Sequence, residues 1–293
     1  MGNDELIERF LEGDIRALSK LISIVEDGDD APLHEISERA GENVKGLIIG
    51  VTGSPGSGKS TLIGRLIERS DEKVGVIAID PSSPSSGGAL LGDRLRMGSG
   101  NAYIRSVSSR GRGSISARTF EIARLLELFG MDLILIETVG AGQGEVDIAE
   151  VVDLVLLVLT PESGDEIQYL KSGIIELADG IALNKCDLDG WEKTYTYLKS
   201  WYPELKIIKT KALEDEGADE LLSSLREIAD ELGRKGELQK RREERVKKWI
   251  CERMKKELIA KLLGEKKKEI EELAEKVARG DLSSKEAIQK VGT

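Results

Sequence analysis

The chain has few of the residues that bind transition metals or form disulfides. It contains two cysteines, Cys186 and Cys251, 65 positions apart, and a single histidine, His34. Disulfide frameworks and zinc clusters need several such residues at short spacing, so neither is expected. Cysteines without partners are typical of the reducing cytosol, which predicts a cytoplasmic protein. We expect His34 to lie on the surface of a short helix.

Aromatic residues are also scarce, at 4% of the chain, so the core must be mostly aliphatic. The net charge is −11, yet residues 234–293 hold 19 Lys/Arg against 12 Asp/Glu. A basic segment can indicate nucleic acid, but no basic patch with stacking aromatics appears. Such Glu/Lys/Arg mixtures are more typical of solvated helix faces, and no nucleic-acid partner is expected.

Long hydrophobic runs are missing as well. The N-terminal sequence MGNDELIERF is acidic and lacks the apolar core of a signal peptide. The longest apolar stretch, near 150–160, is interrupted by Asp153 and is too short to span a bilayer. The sequence therefore predicts no association with a membrane.

Short aliphatic runs alternate with polar helical stretches through the middle of the chain. Runs that are apolar on both faces predict buried parallel strands, and the stretches between them predict flanking helices. The fold class is therefore expected to be α/β, with a mostly parallel central sheet, N-terminal helices and a C-terminal helical arm. The seven runs are LIIGV (47–51), VGVIAI (74–79), YIRSV (103–107), LILIE (133–137), LVLLVL (154–159), IALN (181–184) and LKIIKT (205–210).

Helical patterns flank this region and suggest three segments. The spacing of apolar residues predicts one helix over 3–25 and a short helix near 34–40. From about residue 233 the pattern is entirely helical, which gives segments 1–44, 45–232 and 233–293. Gly280 reads as the end of one helix, and Ser283 with Glu286 as a capping box that opens the last.

The C-terminal segment carries a long apolar stripe outside the α/β unit. It either packs back on its own domain or forms a helical dimerisation arm, and the length of the stripe favours dimerisation. The stripe consists of Val246, Trp249, Ile250, Met254, Leu258 and Leu262, continued by Ile270, Leu273 and Val277.

A phosphate-binding motif follows the first aliphatic run. GSPGSGKS (53–60) fits G-x-x-x-x-G-K-[ST] between a strand and a helical stretch. In this motif Lys59 would bridge the β- and γ-phosphates, and the Ser60 hydroxyl would bind Mg²⁺. Glycine allows the backbone N–H groups to surround the phosphates. The predicted nucleotide-binding residues of the loop are Gly53, Ser54, Pro55, Gly56, Ser57, Gly58, Lys59, Ser60 and Thr61.

A second motif predicts which base is bound. NKCD (184–187) follows a later strand and fits N-K-x-D. The Asp187 carboxylate can accept from guanine N1–H and the 2-amino group, whereas adenine presents a lone pair at N1 and no 2-amino group, so GTP should bind more tightly than ATP. Asn184 would brace the loop, and Lys185 would cover one face of the ring. Backbone N–H groups of Thr210, Lys211 and Ala212 would approach the guanine oxygen.

Acidic residues at strand ends supply candidates for a metal site. Asp80 ends one strand and could hold Mg²⁺ directly or through water, and Glu137 ends another and would face Mg²⁺ through a water. Asp93, in the stretch after Asp80, is a second candidate for Mg²⁺ or for positioning water, and Arg96 could reach the phosphates. Surface-loop charge is the alternative for Asp80, Asp93 and Arg96.

The stretch IETVGAGQGE (136–145) has the features of a nucleotide switch with a displaced glutamine. We expect the Gly140 N–H to contact the γ-phosphate. Gln143 stands three residues after Gly140, whereas many nucleotide switches place a glutamine directly after the glycine. The sequence therefore predicts that the protein alone hydrolyses GTP slowly, and that a rearranged switch or a partner completes the site.

Together these motifs resemble the methylmalonyl-CoA-mutase-associated GTPases of the MeaB/ArgK type, within the signal-recognition/metallochaperone class. The resemblance covers nearly the whole chain. It is carried by GSPGSGKST, AIDPSSPSSGGALLGDRLRM, IETVGAGQGEVDIAEVVD, LTPESGDEIQYLKSGIIELADG and NKCD.

The resemblance implies a homodimeric, Mg²⁺-dependent GTPase that cycles between GTP and GDP. It would be a chaperone for an adenosylcobalamin-dependent acyl-CoA mutase, with methylmalonyl-CoA mutase as the family default. It would gate cofactor loading and protect the mutase. It also implies that PESGDEIQYLK (161–171) is a mobile switch, with Asp165, Glu166 and Lys171 as charged partner contacts; a plain strand-to-helix loop is the alternative.

Other functions fit the sequence less well. A metal-insertion GTPase of the same fold, serving a nickel enzyme, would need a cluster of Cys and His ligands. A small-molecule kinase would need a catalytic base and an acceptor pocket, and no motif for either is visible. A binding module without nucleotide would leave both motifs unexplained.

Overall fold

The structure is a computed structural model that describes residues 3–41, 46–81, 102–109, 118–138, 147–161 and 173–291. Side chains are described for these ranges except at Asp80, Pro81, Ser108, Ser109 and Lys256.

A single seven-stranded sheet organises the α/β part of the chain. Its order is β3-β2-β4-β1-β5-β6-β7, and every neighbouring pair is parallel. All seven aliphatic runs of the sequence form strands, so the expected fold class is confirmed. The strands are β1 (Leu47–Thr52), β2 (Val74–Pro81), β3 (Ala102–Ser109), β4 (Leu133–Glu137), β5 (Leu154–Leu159), β6 (Gly180–Leu183) and β7 (Lys206–Lys209).

Helices cover both faces of the sheet, as parallel strands require. The helices of the described residues, in both compact units of the chain, are α1 (Asn3–Leu11), α2 (Ile15–Asp27), α3 (Ala31–Ala40), α4 (Lys59–Arg69), α5 (Thr119–Leu128), α6 (Ile174–Leu177), α7 (Trp191–Trp201), α8 (Ala218–Arg234), α9 (Glu237–Glu265), α10 (Lys267–Ala278) and α11 (Ser284–Val291), with a 3₁₀ turn at Ile148–Glu150.

Alternate residues of the central strand explain this layering. Leu47, Ile49 and Val51 of β1 join a buried cluster with α4 and α8, whereas Ile48 joins the cluster that includes α2 and α5. Every residue of β1 and of β5 is buried. Two-sided burial at about 25 cal/mol per Å² of apolar surface makes these strands a large source of stability.

The N-terminal segment differs from the expected single helix over 3–25. The structure has two helices there, because Gly13 adopts φ 87° and the Asp14 carboxylate caps the next helix by accepting from the Arg16 N–H. A left-handed residue ends a helix, and an N-cap aspartate starts another. His34 lies exposed on α3, as expected.

The chain divides into two compact units, Met1–Arg242 and Glu243–Thr293. In the second unit Gly280 follows α10 with φ 83°, and the Ser283–Glu286 capping box forms as predicted. Large apolar side chains of α9 are exposed there, namely Val246, Ile250, Met254, Leu258, Ile259, Leu262 and Leu263. Among the described helices, none combines the length and apolar character needed to cross a membrane.

A buried ion pair at the amino ends of β1 and β5 should contribute strongly to stability. The Asp153 carboxylate is fully buried, accepts from the Ile48 N–H and is bound by both Nε and Nη2 of Arg242. We expect Arg242→Ala to lower the free energy of unfolding by about 3 kcal/mol, because it leaves a buried charge without its cation. Urea unfolding measures this change.

The matched control is Arg39→Ala. Arg39 pairs with Glu8 and Glu35 at the surface, where an ion pair is worth at most about 1 kcal/mol. Equal losses of stability in the two variants would contradict the assigned role of Asp153.

Candidate nucleotide-binding site

The phosphate-loop sequence connects β1 to α4 at the carboxyl edge of the sheet, as predicted. Two of its glycines could not carry a side chain. A Cβ on Gly53 would lie 2.2 Å from the Val158 carbonyl oxygen, and one on Gly58 would lie 2.3 Å from Asn184 Nδ2. Both also have positive φ, 144° and 94°, which glycine adopts without strain. The loop is therefore packed tightly against the ends of neighbouring strands.

Lys59 starts α4 and turns back over this loop. Its Nζ donates to the carbonyl oxygens of Gly53 at 2.8 Å and Ser54 at 2.9 Å, and the residue is 6% exposed. The ammonium group is thus held against the loop and the N-terminus of α4, which carries positive partial charge of its own. This concentration of positive charge is what a bound polyphosphate requires.

Ser60 and Glu137 form the acidic edge of the site. The Ser60 hydroxyl donates to Glu137 Oε1 at 2.5 Å, which joins the first turn of α4 to the end of β4. The next residue, Thr138, donates from its backbone to the Val51 carbonyl and from its hydroxyl to Thr52. A hydroxyl and a carboxylate are the hard oxygen ligands that Mg²⁺ prefers, so these residues fit that ion.

Asn184 joins three parts of the site. It is 2% exposed; its Nδ2 donates to the Ser57 carbonyl at 2.8 Å, while its Oδ1 accepts from the Thr210 hydroxyl and the Ala212 N–H, each at 3.1 Å. The phosphate loop, the NKCD loop and the loop after β7 are therefore held by one side chain. The predicted bracing role of Asn184 is visible here as direct contacts.

In the rest of the NKCD loop, the Asp187 side chain faces solvent. Lys185 adopts a left-handed conformation with φ 59°, Cys186 turns inward, and Asp187 is exposed. Cys186 is anchored by its N–H to the Thr210 carbonyl. Burial raises the pKa of the Cys186 thiol, so it remains protonated near neutral pH. The exposed Asp187 carboxylate is available to a ligand.

The loop after β7 is closed at its own base. Lys211 and Glu216 form an isolated β-bridge, and the Lys211 Nζ lies 2.9 Å from a Glu216 carboxylate oxygen. The hydrogen bond to Glu216 raises the pKa of Lys211. The side chain of Lys211 therefore serves the loop itself, and so does its N–H, which donates to the Glu216 carbonyl. The other two N–H groups predicted to approach the guanine oxygen also have partners within the protein: that of Thr210 donates to the Leu183 carbonyl, and that of Ala212 to Asn184 Oδ1.

The structure thus brings together the predicted residues of the phosphate loop, NKCD, Glu137 and residues 210–212. Asp80 lies at the end of β2, paired in register with Ser108, but its side chain is outside the described part. The predicted residues that lie entirely outside the described ranges are Asp93, Arg96, Gly140, Gln143, Asp165, Glu166 and Lys171.

The hydroxyl pair of Thr52 and Thr138 was not predicted from the sequence. Each residue directly ends or follows a buried strand, and that position is the only signal that could have identified them. In the described part of the chain, no three His, Cys, Asp or Glu side chains gather as a potential metal cluster.

The chain is similar in sequence to known proteins. A protein of Pyrococcus abyssi, named as a candidate GTPase, is 37% identical over 301 residues, covering 95% of this chain and 92% of the relative. A fused isobutyryl-CoA mutase of Geobacillus kaustophilus is 37% identical over 216 residues, covering 68% of this chain and 20% of that protein.

A solved structure shows the same fold over nearly the whole chain. The crystal structure of a LAO/AO transport system kinase is 27% identical, covers 99% of this chain and 96% of its own, and superposes with a TM-score of 0.71.

The family assignment follows from the sequence match together with the site. Residues 18–267 match the family described as methylmalonyl-CoA-mutase-associated GTPase MeaB. That span includes the phosphate loop, Glu137 and NKCD. The chain belongs to the MeaB family of P-loop GTPases.

Proposed function

We propose that this protein binds GTP with Mg²⁺, hydrolyses it to GDP and phosphate, and uses this cycle as a chaperone for an adenosylcobalamin-dependent acyl-CoA mutase. The single observation that carries the nucleotide part is the convergence on Asn184, which links the phosphate loop to both loops of the base site. A site with a phosphate end and a base end, joined by one side chain, suits a nucleoside triphosphate.

Each end of the site has a defined task. The phosphate loop and Lys59 would hold the β- and γ-phosphates, and Asp187 would read guanine. Ser60 and Glu137 would hold Mg²⁺, with Asp80 and Asp93 as further candidate ligands. The ion would neutralise charge on the phosphate oxygens. Arg96 and the Gly140 N–H remain proposed contacts to the phosphates.

Hydrolysis by the protein alone should be slow. The side chain placed by the structure next to Ser60 is Glu137, which is suited to holding Mg²⁺ and its water. The proposed orienting group is Gln143, three positions beyond Gly140, or a partner residue. Asp165, Glu166 and Lys171 are the proposed contacts that report nucleotide state to the partner.

The mutase partner is supported by family and by gene fusion. The matching family is described by its association with methylmalonyl-CoA mutase, and a region of the fused isobutyryl-CoA mutase is similar to this chain. In a fused protein the two activities are held at high effective concentration, which indicates that they act together. We propose gating of cofactor loading and protection of the mutase as the shared task, in the cytoplasm.

We further propose that 233–293 is a homodimerisation arm, beside an N-terminal segment 1–44 and a GTPase segment 45–232. Its support is the exposed apolar face of α9: Met254 is 56% exposed and Leu258 is 64% exposed. An exposed apolar patch of this kind commonly marks an interface.

A pull-down on an immobilised mutase tests the chaperone function. Methylmalonyl-CoA mutase and isobutyryl-CoA mutase would each be presented to the protein with GDP, with a non-hydrolysable GTP analogue and with no nucleotide. We expect retention by one mutase to differ between nucleotide states by about fivefold or more, a typical coupling between two sites. Equal retention in all three states, on both mutases, would rule out the chaperone cycle while leaving the GTPase intact.

A further inference from the structure

An arginine on the phosphate-loop helix reaches across to the loop after β7. Arg65, on α4, donates from Nε to the Ala212 carbonyl at 3.0 Å and from Nη2 to the Leu213 carbonyl at 3.5 Å. Its remaining nitrogen, Nη1, donates to Glu68 at 2.8 Å. One planar guanidinium therefore holds two successive carbonyls of the loop, an arrangement to which arginine is suited by its fixed fork of donors.

Ala212 is consequently held on both sides of its backbone. Its carbonyl accepts from Arg65, while its N–H donates to Asn184 Oδ1 at 3.1 Å. The residue is 3% exposed, whereas Leu213, the next one, is 81% exposed. The chain thus turns outward immediately after Ala212, and the contacts of Arg65 lie at that turning point.

The rest of the loop adopts a strained turn. Asp215 adopts a left-handed φ of 59°, and Gly217 follows with φ 84°. A Cβ on Gly217 would lie 2.3 Å from the Lys209 carbonyl oxygen. A strained turn of this kind persists only when its surroundings determine it.

We propose that Arg65 is a positioning residue for guanine recognition. By fixing the Ala212 carbonyl, it holds the turn at Ala212, whose N–H donates to Asn184 Oδ1 and so orients the Asn184 amide. The second N–H of Asn184 Nδ2, which the Ser57 carbonyl does not take, is the donor suited to read the 6-oxo group of the base. Arg65 thereby couples the helix that begins in the phosphate loop to the loop that reads the base. This inference rests on the proposed guanine site and adds a residue that neither sequence motif contains.

Nucleotide analogues separate this role from a general loosening of the site. In 6-thio-GDP the acceptor at position 6 is a weak sulfur, whereas N1–H and the 2-amino group remain for Asp187. In IDP the 6-oxo group remains and the 2-amino group is missing. If Arg65 acts through Ala212, its loss should matter for the 6-oxo group and leave recognition at position 2 unchanged.

The test compares Arg65→Ala with Arg69→Ala by calorimetric titration of GDP, 6-thio-GDP, IDP and ADP. Arg69 is on the same helix and pairs with Asp215 and Asp219, but no hydrogen bond from it to a loop carbonyl is among the described contacts, which makes it a matched control. For Arg65→Ala we expect the Kd of GDP to rise about tenfold and that of 6-thio-GDP about twofold, since a charge-assisted hydrogen bond is lost. The ratio of IDP to GDP affinity should stay unchanged, and Arg69→Ala should alter each Kd by less than about twofold.

Arg65→Lys supplies a second variant that keeps the charge and one donor. It should recover part of the GDP preference over 6-thio-GDP, and thermal unfolding would confirm that all variants are folded. Equal effects of Arg65→Ala on GDP and 6-thio-GDP, or effects no larger than those of Arg69→Ala, would overturn the positioning role. A wild-type protein that binds ADP as tightly as GDP would instead overturn the guanine site itself, and this inference with it.

Discussion

Lys59→Ala should lower kcat for GTP hydrolysis by about a hundredfold to a thousandfold, the usual cost of removing one preorganised group that stabilises transition-state charge. The Lys59 ammonium is fixed against the phosphate loop by the Gly53 and Ser54 carbonyls. The charge that develops during phosphoryl transfer spreads over phosphate oxygens next to this loop. Phosphate release under single-turnover conditions, with Mg²⁺ and excess protein, measures the effect.

The control for this variant is Lys206→Ala. Lys206 is the first residue of β7, so it lies at the amino end of that strand, whereas the phosphate loop lies at the carboxyl ends of the strands. It pairs with Glu227 at the surface. The Lys206→Ala variant should keep kcat within about twofold of the wild type, because an exposed ion pair contributes little to the stability of the fold. Wild-type turnover in Lys59→Ala, with the fold intact by circular dichroism, would remove Lys59 from the mechanism.

Asp187→Asn should change the preferred base from guanine to xanthine. The Asp187 carboxylate accepts from two donors of guanine, N1–H and the 2-amino group. A carboxamide replaces one acceptor with a donor, which opposes the 2-amino group but matches the 2-oxo group of xanthine. Since each unmet or opposed polar group costs about 1–3 kcal/mol, GDP affinity should fall about a hundredfold, and XDP should become the better ligand.

Competition against a fluorescent nucleotide would give both affinities on one scale. Asp189→Asn is the matched control, because Asp189 is an exposed acid two positions further along with no assigned contact to the base. It should keep GDP preference unchanged. Retained preference for GDP in Asp187→Asn would show that another group reads the base.

Most of the fold is predictable from the sequence because the pattern of burial is simple. Strands covered on both faces must be apolar throughout, so the runs LIIGV and LVLLVL alone indicate buried parallel strands. The phosphate loop and NKCD are also predictable, because both motifs are contiguous in sequence. Their position at the carboxyl ends of β1 and β6 follows from the parallel topology.

Contacts between distant residues are not predictable in the same way. The hydrogen bond from Arg65 to Ala212 spans 147 positions, and the bond from Arg242 to Asp153 spans 89. Nothing in the local sequence distinguishes Arg65 from other surface arginines of a helix. The break at Gly13 escapes prediction for a related reason: apolar spacing continues across it, and the local geometry of Gly13 and Asp14 outweighs that spacing.

The hydrogen bonds of Asn184 also fix the direction in which the dipole of its side-chain amide points. The oxygen faces two donors, from Thr210 and Ala212, and the nitrogen faces an acceptor, the Ser57 carbonyl. A half-turn of the amide would set nitrogen against both donors and oxygen against the carbonyl, so one orientation is strongly favoured. An amide has two N–H groups, and Ser57 takes one. The second is a donor whose direction is set by the protein's own backbone, so a base meets a pocket whose polarity is already determined.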